Sequence, residues 1–233
     1  MRKEIIIFGA NGALGKGVTN AMLKKDYSTA YLFDLEIEKE IITGNGSVKK
    51  INIKDLSIEK NVKDAFNNIK SSADTTFFLY STVGGFAGGK SLGETDEEEW
   101  DRMMNMNLKS NFFIAKYFSK LIEKSAGGSI CFTAAETGLN PEKHKGPYGI
   151  SKSGLIHLVK TLALEGKTIK LSANAIAPYI IDTPANRSWM KDGDYSEWIK
   201  PEEIGELAYN IFENFNFISG NIISLKSRFN HPE

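Results

Sequence analysis

The sequence predicts an α/β fold, in which one domain is built on a doubly wound parallel sheet of about seven strands with helices on both faces. Short apolar runs rich in β-branched and aromatic residues alternate with longer stretches whose apolar residues recur at helical spacing. Continuous apolar runs of strand length are typical of parallel strands buried on both faces. The 233 residues suit one large domain, and no linker or internal repeat divides them.

Each predicted strand is a short apolar run that ends at a polar residue or a turn. The first run, Ile5 to Phe8, meets Gly9 directly, and the second, Tyr31 to Phe33, ends at Asp34. In chain order the predicted strands are Glu4–Phe8, Thr29–Phe33, Lys49–Ile53, Thr75–Tyr80, Gly128–Thr133, Leu171–Ile176 and Asn221–Leu225.

The predicted helices lie between these strands and show apolar residues on one face. Val62, Phe66 and Ile69 illustrate the spacing. The predicted helices are Gly15–Lys25, Ile58–Ile69, Glu97–Lys124, Tyr148–Glu165 and one that begins after Pro201 and runs through Phe212. The segment Asp182–Lys200 has no clear period and is rich in aromatic residues, so we expect it to be an irregular loop that binds substrate.

Composition and charge exclude several classes of protein. The chain has 29 basic and 29 acidic residues, and without a clustered positive field we expect neither a nucleic-acid nor a membrane partner. One cysteine, Cys131, allows no intrachain disulfide. No apolar stretch approaches the ~18 residues of a membrane span or the roughly 7–15 of a secretory segment. We therefore expect a cytoplasmic protein.

A glycine turn follows the first strand and opens the first helix. Its glycines stand in a G-x-x-G-x-x-G spacing, which lets the backbone approach a pyrophosphate closely while the helix N-terminus offers free N–H groups. The strand before it and the helix after it supply the context of a Rossmann-like dinucleotide site. The residues expected to bind the cofactor here are Gly9, Asn11, Gly12, Ala13, Leu14 and Gly15.

Two acidic residues at the ends of later strands extend this site. Asp34 lies 25 residues beyond Gly9, where a carboxylate accepts hydrogen bonds from the ribose hydroxyls and repels a 2′-phosphate. This favours NAD(H) over NADP(H), and Glu36 is close enough to share the role. Asp55 follows the third strand, and it either contacts the adenine amine or caps the next helix.

Tyr148 and Lys152 stand four residues apart, which places their side chains on one face of a helix. An ammonium near a phenol favours the phenolate, so we expect Lys152 to lower the pKa of Tyr148. A tyrosine tuned in this way can pass a proton to a substrate as hydride arrives.

Taken in order, these motifs resemble the short-chain dehydrogenase/reductase family over nearly the whole chain. The resemblance implies that Tyr148 is the proton donor, that Lys152 holds the nicotinamide ribose, and that Asn107 belongs to a proton-relay water chain. It also extends the expected cofactor site. The further residues implied for that site are Asp55, Leu56, Gly84, Gly85, Lys152, Pro178 and Thr183.

Within that family, the stretch Thr82–Gly89 is similar to the glycine-rich stretch of dihydropteridine reductases, which usually have Trp in place of Phe86. Residues 182–187 and 195–198 also resemble that subfamily. The residues expected at the substrate are Phe86, Ala135, Tyr179 and Trp189. Members of this family pair through their two long helices, so the resemblance implies a homodimer or a homotetramer.

One departure from the family pattern bears on the substrate. Most members have Ser 13 residues before the tyrosine, where its hydroxyl donates to the reacting oxygen, and this chain has Ala135. Thr133 shares its strand face but is too far along the strand to replace it. We therefore expect NADH-dependent reduction of an electron-poor small molecule such as a quinonoid pterin. Two alternatives stay open. One is a general carbonyl or alcohol oxidoreductase, which Asn107 favours, and the other is a non-catalytic dinucleotide-binding redox sensor.

No metal site is expected. His144, His157 and His231 show no ligand spacing, and no cluster of acids or cysteines accompanies them. Cys131 lies in an apolar strand, where a buried, inert thiol is expected.

Overall fold

Seven parallel strands form one sheet in the order β3-β2-β1-β4-β5-β6-β7 in the computed structural model, which describes residues 2–37 and 44–227. Every neighbouring pair of strands is parallel, which confirms the predicted fold class. The strands are β1 (Arg2–Phe8), β2 (Thr29–Asp34), β3 (Ser47–Asn52), β4 (Thr75–Ser81), β5 (Gly127–Thr133), β6 (Leu171–Pro178) and β7 (Ile222–Leu225).

Helices cover both faces of this sheet. They are α1 (Ala13–Met22), α2 (Glu59–Phe66), α3 (Glu97–Met103), α4 (Ser110–Ile122), α5 (Gly146–Glu165), α6 (Pro184–Trp189) and α7 (Pro201–Glu213). On one face, α2, α4 and α5 pack on a core in which Phe8 stacks on Phe33 with ring centroids 4.6 Å apart. On the other face, α1 and α7 pack together, and Phe78 stacks on Phe212 at 5.2 Å.

The predicted helix Glu97–Lys124 is not one regular helix. Residues Met104–Lys109 form a π-helical turn between α3 and α4, and the backbone N–H of Ser110 reaches the Asn105 carbonyl, five residues back. The Ser110 hydroxyl donates to the same carbonyl at 2.8 Å. Because a π turn inserts one extra residue, it changes which side chains of the later turns face the core.

The prediction that Asp182–Lys200 is wholly irregular is also wrong, because α6 lies within it. Thr183 is the N-cap residue of this short helix, and its hydroxyl accepts a hydrogen bond from the Asn186 N–H. Pro184 occupies the first helical position, where its missing N–H costs nothing. The Thr-Pro pair is therefore a local signal for the start of a helix.

The strand order places a crevice at the carboxyl ends of β1 and β4. From β1 the chain continues to β2 on one side, whereas β4 lies on the other side of β1. The loops that follow β1 and β4 thus leave in opposite directions, and ligands of open α/β sheets bind at such a point.

Candidate active site

The glycine turn after β1 is held by contacts that leave no room for side chains. Gly9 has a φ of +79°, and a Cβ there would lie 2.3 Å from the Thr82 hydroxyl, which donates to the Gly9 carbonyl at 2.8 Å. A Cβ on Gly15 would lie 1.8 Å from that same carbonyl. Gly12 is the N-cap residue of α1, and no side-chain hydrogen bond caps this helix end. The amino end of α1 therefore faces the crevice with its backbone N–H groups.

A cavity of about 560 Å³ opens beside this turn. Many residues predicted to bind the cofactor line it together. They are Gly9, Gly12, Asp34, Asp55, Leu56 and Gly84. Asn11, Ala13, Leu14 and Gly15 complete the turn and the first turn of α1, whose Gly12 end lines the cavity.

The carboxylate of Asp34 is fixed by two backbone N–H groups. Its Oδ2 accepts from Asn11 and its Oδ1 from Leu35, both at 2.7 Å. The Asn11 side chain in turn donates to the Glu36 carbonyl at 2.8 Å. These hydrogen bonds join the glycine turn to the residues at the end of β2. Asp34 thus presents a rigid, charged edge to the cavity, while Glu36 contributes its backbone.

Asp55 is not the N-cap residue of α2 and instead forms a hydrogen bond in the turn ahead of that helix. Its Oδ1 accepts from the Ser57 N–H at 2.8 Å, just ahead of α2, whose own N-cap residue is Ile58. Asp55 also lines the cavity, so this hydrogen bond does not remove it from the site.

The cavity fits a nicotinamide dinucleotide. Side-chain-free backbone at Gly9 and Gly15 lets a pyrophosphate approach the helix N-terminus, and a fixed carboxylate stands where β2 ends. Among residues 2–37 and 44–227, no cluster of three histidines, cysteines or acids could hold a metal ion. His231 lies outside the described residues.

Lys152 lies on α5 with its ammonium buried. Its Nζ donates to the Thr133 carbonyl at the end of β5 at 2.7 Å and lies 5.9 Å from the centre of the Tyr148 ring. Burial disfavours the charged form and lowers the pKa of Lys152 to about 8.

The pKa of Tyr148 moves opposite to the predicted direction. Burial, together with the charge of Glu142, raises the pKa of Tyr148 to about 12. Desolvation of the phenolate dominates because Lys152 is directed at Thr133 instead of the phenol. Tyr148 is therefore a neutral phenol that can donate a proton, and it is not a preformed phenolate.

Asn107 is fully buried within the π-helical turn, and its side-chain amide forms hydrogen bonds with the backbone of Gly85. Its Oδ1 accepts from the Gly85 N–H at 2.9 Å, and its Nδ2 donates to the Gly85 carbonyl at 3.0 Å and to the Ser151 hydroxyl at 3.1 Å. The Ser151 hydroxyl donates to the Tyr148 carbonyl at 2.7 Å. Asn107 thus ties the loop after β4 to the start of α5.

Two further aromatic side chains lie in line with Tyr148. Phe86, half exposed, meets the Tyr148 ring edge to face at 5.0 Å, and Trp189 at the end of α6 lies 5.6 Å from Phe86. Tyr179 is exposed just beyond Pro178, the last residue of β6. Ala135 is buried. The Thr133 hydroxyl is hydrogen-bonded to the Ser81 carbonyl and to the Tyr80 hydroxyl, so it is not free to replace the missing serine.

Several site residues were not predicted from the sequence. Thr82 locks the glycine turn, Arg102 and Met106 line the cavity, and Ser81 bonds to Asn111 inside the core. Asn111 stands four residues after Asn107, and this helical spacing could have indicated that the two share a face.

Known proteins are similar to this chain over most of its length. The sequence profile described as short chain dehydrogenase matches residues 3–194. The chain belongs to this family. Dihydropteridine reductase of Dictyostelium discoideum is 28% identical over 211 residues, which cover 90% of this chain and 87% of that protein. Carbonyl reductase family member 4 of Xenopus laevis is 26% identical over 230 residues and 96% of both chains.

Solved structures share the fold. ElxO with NADP bound matches 97% of this chain and 98% of its own with a TM-score of 0.83 and 25% identity. These matches confirm the family resemblance, and the protein is an oxidoreductase of the short-chain type. In the part of the chain that the structure describes, none of the helices has the length and apolar character of a membrane span.

Proposed function

We propose that this protein is an NADH-dependent reductase of a small, flat, electron-poor substrate, of which a quinonoid dihydropterin is the model. NADH supplies the hydride when bound. The observation that carries the proposal is the contact of Tyr148 with Phe86, which in turn contacts Trp189, together with alanine at position 135. Aromatic faces suit a planar ring, and the lack of a second hydroxyl suits a substrate that develops no alkoxide.

Asp34 supports the choice of NADH. Its carboxylate is held in place at the cavity by two backbone N–H groups and would meet a 2′-phosphate with like charge. ElxO, which shares the fold, has NADP bound, so the proposed preference for NADH rests on Asp34 and not on the fold. We expect this protein to bind NADH at least tenfold more tightly than NADPH, a difference of ~1.4 kcal/mol.

Tyr148 supplies the proton. With a pKa raised to about 12 by burial and Glu142, its phenol stays protonated at neutral pH. Lys152 lies 5.9 Å from the centre of its ring and stabilises the phenolate as the proton leaves. Asn107 holds the Gly85 backbone in place, and we propose this positioning role for it instead of a relay of protons.

Oxidation of NADH, followed with freshly generated quinonoid dihydropterin beside a panel of ketones, tests the proposal. We expect the pterin to be the better substrate and Tyr148→Phe to lower its turnover by ~10²–10⁴, the usual contribution of a general acid. Tyr117→Phe is the matched control, because that phenol bonds to Glu59 between α4 and α2 and does not line the cavity, so turnover should be nearly unchanged.

A general carbonyl reductase is the second candidate. The buried Asn107 and the full-length similarity to Xenopus laevis carbonyl reductase family member 4 favour it. Ketones reduced faster than the pterin would support this candidate. If Tyr148→Phe changes no measurable oxidation of NADH and the wild type reduces no pterin, a non-catalytic redox sensor becomes the better hypothesis.

We also propose a homodimer or homotetramer. Large apolar side chains are exposed on α4 and α5, among them Phe112, Ile150 and Leu164. A monomer mass from light scattering at micromolar concentration would refute this proposal.

A further inference from the structure

Asn111, on the first turns of α4, is a buried amide with polar contacts on both ends of its side chain. Its Oδ1 accepts from the Ser81 hydroxyl at 2.6 Å. Its Nδ2 donates to the Val83 carbonyl at 3.0 Å and to the Asn107 carbonyl at 2.8 Å. Asn111, Ser81 and Asn107 are all at most 1% exposed, so water does not reach their polar groups. Without these hydrogen bonds the buried polar groups would be unpaired.

Together, Asn111 and Asn107 hold both ends of a short backbone segment, Val83–Gly85. Asn111 donates to the carbonyl of Val83, and Asn107 forms hydrogen bonds with both the N–H and the carbonyl of Gly85. Between them, Gly84 packs so tightly that a Cβ would lie 2.6 Å from the Asn107 Oδ1 and 3.1 Å from the Lys152 ammonium. The segment is therefore packed closely beside the Lys152 ammonium.

This segment is also a wall of the dinucleotide cavity. Val83 and Gly84 line it, whereas Asn111 does not. The side chain of Asn111 thus influences the cavity only through the backbone that it holds. The hydroxyl of Ser81 orients the amide, because an asparagine that accepts through Oδ1 must direct Nδ2 toward Val83.

We propose that Asn111 is a positioning residue that sets the affinity for NADH by fixing Val83–Gly85, a segment that lines the cavity and packs beside Lys152. This inference rests on the proposed function for the identity of the cofactor. Without the Asn111 amide, the Val83 carbonyl loses its hydrogen-bond donor and can rotate. The backbone that lines the dinucleotide cavity then changes its conformation.

The test measures the Kd of NADH by cofactor fluorescence and the melting temperature of each variant. Asn111→Leu keeps the volume and removes the amide, and the double variant Ser81→Ala with Asn111→Leu also removes the partner hydroxyl. Ser129→Ala is the matched control for stability. It breaks a buried 2.7 Å hydrogen bond with Ser172 near the amino ends of β5 and β6, far from the cavity. Ser81→Ala alone is the milder variant.

We expect Asn111→Leu to raise the Kd of NADH about tenfold. The double variant should regain stability, since removing both buried partners is milder than leaving one unpaired, yet it should keep the raised Kd. Ser81→Ala should raise the Kd by a smaller factor, and Ser129→Ala should lower the melting temperature with a Kd within twofold of the wild type.

The proposal fails if the double variant or Ser81→Ala binds NADH as the wild type does, or if Ser129→Ala weakens binding as much as Asn111→Leu. If Asn111→Leu does not fold, Asn111→Ala takes its place, because the Ser81 hydroxyl also accepts from the Val83 N–H at 3.4 Å and Ser81→Ala changes both contacts. A wild-type protein that binds neither NADH nor NADPH would overturn the proposed function, and with it this inference.

Discussion

The Lys152 ammonium donates a 2.7 Å hydrogen bond to the Thr133 carbonyl, joining α5 to the carboxyl end of β5. Thr133 is also the residue whose hydroxyl bonds to the Ser81 carbonyl at the end of β4. Two neighbouring strands and the helix that bears Tyr148 are thus joined at one point. Because this point is buried, the charge of Lys152 depends on pH within an accessible range.

A loss of activity is expected as the pH rises through about 8, the lowered pKa of Lys152. The ammonium is present below this value and is lost above it, whereas Tyr148, with a pKa of about 12, stays protonated throughout. The pH profile of kcat/KM should therefore fall by about tenfold per pH unit above 8.

The variant Lys152→Arg keeps its charge to far higher pH, so whatever activity it retains should show no fall up to about pH 10. Lys160→Met, which removes an exposed lysine of the same helix, should keep the wild-type profile. A wild-type profile that is flat from pH 7 to 10 would show either that Lys152 keeps its proton over this range or that the reaction does not need its charge.

Cofactor preference should follow Asp34. Asp34→Asn removes the charge that repels a 2′-phosphate, so the ratio of the NADPH Kd to the NADH Kd should fall about tenfold. Fluorescence titration with both cofactors measures the ratio. Glu36→Gln is the matched control, because only the backbone of Glu36 contacts Asn11. An equal shift in both variants would instead assign the preference to their summed charge.

Restoring the missing serine is expected to change the reduction of ketones and of quinonoid dihydropterin to different extents. Ala135→Ser adds a hydroxyl that can stabilise an alkoxide, so the kcat/KM for ketones should rise while that for a quinonoid dihydropterin changes little. Ala134→Ser places the same group one residue earlier, which faces the other side of the extended chain, and should help neither substrate. Equal gains on both substrates would argue that they share an alkoxide-like transition state.

Glu4 is expected to cost stability at neutral pH. It is buried on β1, its Oε2 has no hydrogen-bond partner within the described residues, and burial raises its pKa. An acid whose pKa is raised on folding binds its proton more tightly in the folded state. Its contribution to stability is therefore largest in acid and is lost as the pH rises through the folded pKa.

The substitution Glu4→Gln keeps the shape and removes the charge, so it should raise the free energy of unfolding at pH 7 by about 1 kcal/mol, or the melting temperature by about 2–4 °C. The gain should shrink when the melt is repeated at pH 4. Glu213→Gln, which removes a partner of Lys3 at the surface, should give no such gain. A gain for Glu4→Gln that stays constant with pH would assign it to packing.

Local patterns in the sequence determined the sheet, the dinucleotide turn and the Tyr148–Lys152 pair. A parallel strand buried on both faces is a continuous apolar run, so the predicted strands agree with β1 to β7 within about two residues at each end. The glycine turn was predictable for a similar reason. The positive φ of Gly9 and the close approach of Gly15 are demands that each position makes on its own residue.

Contacts between distant segments decided the rest. Asn107 holds Gly85, which is 22 residues away, and the π-helical turn that carries Asn107 left no mark in the apolar spacing of Glu97–Lys124. The pKa of Tyr148 rose where the spacing to Lys152 predicted a fall, because burial and Glu142 outweigh a lysine that is directed at Thr133. Spacing along one helix fixes which side chains share a face. The burial and the hydrogen-bond partners of those side chains depend on the segments that pack against that face, and those contacts form only when the chain folds.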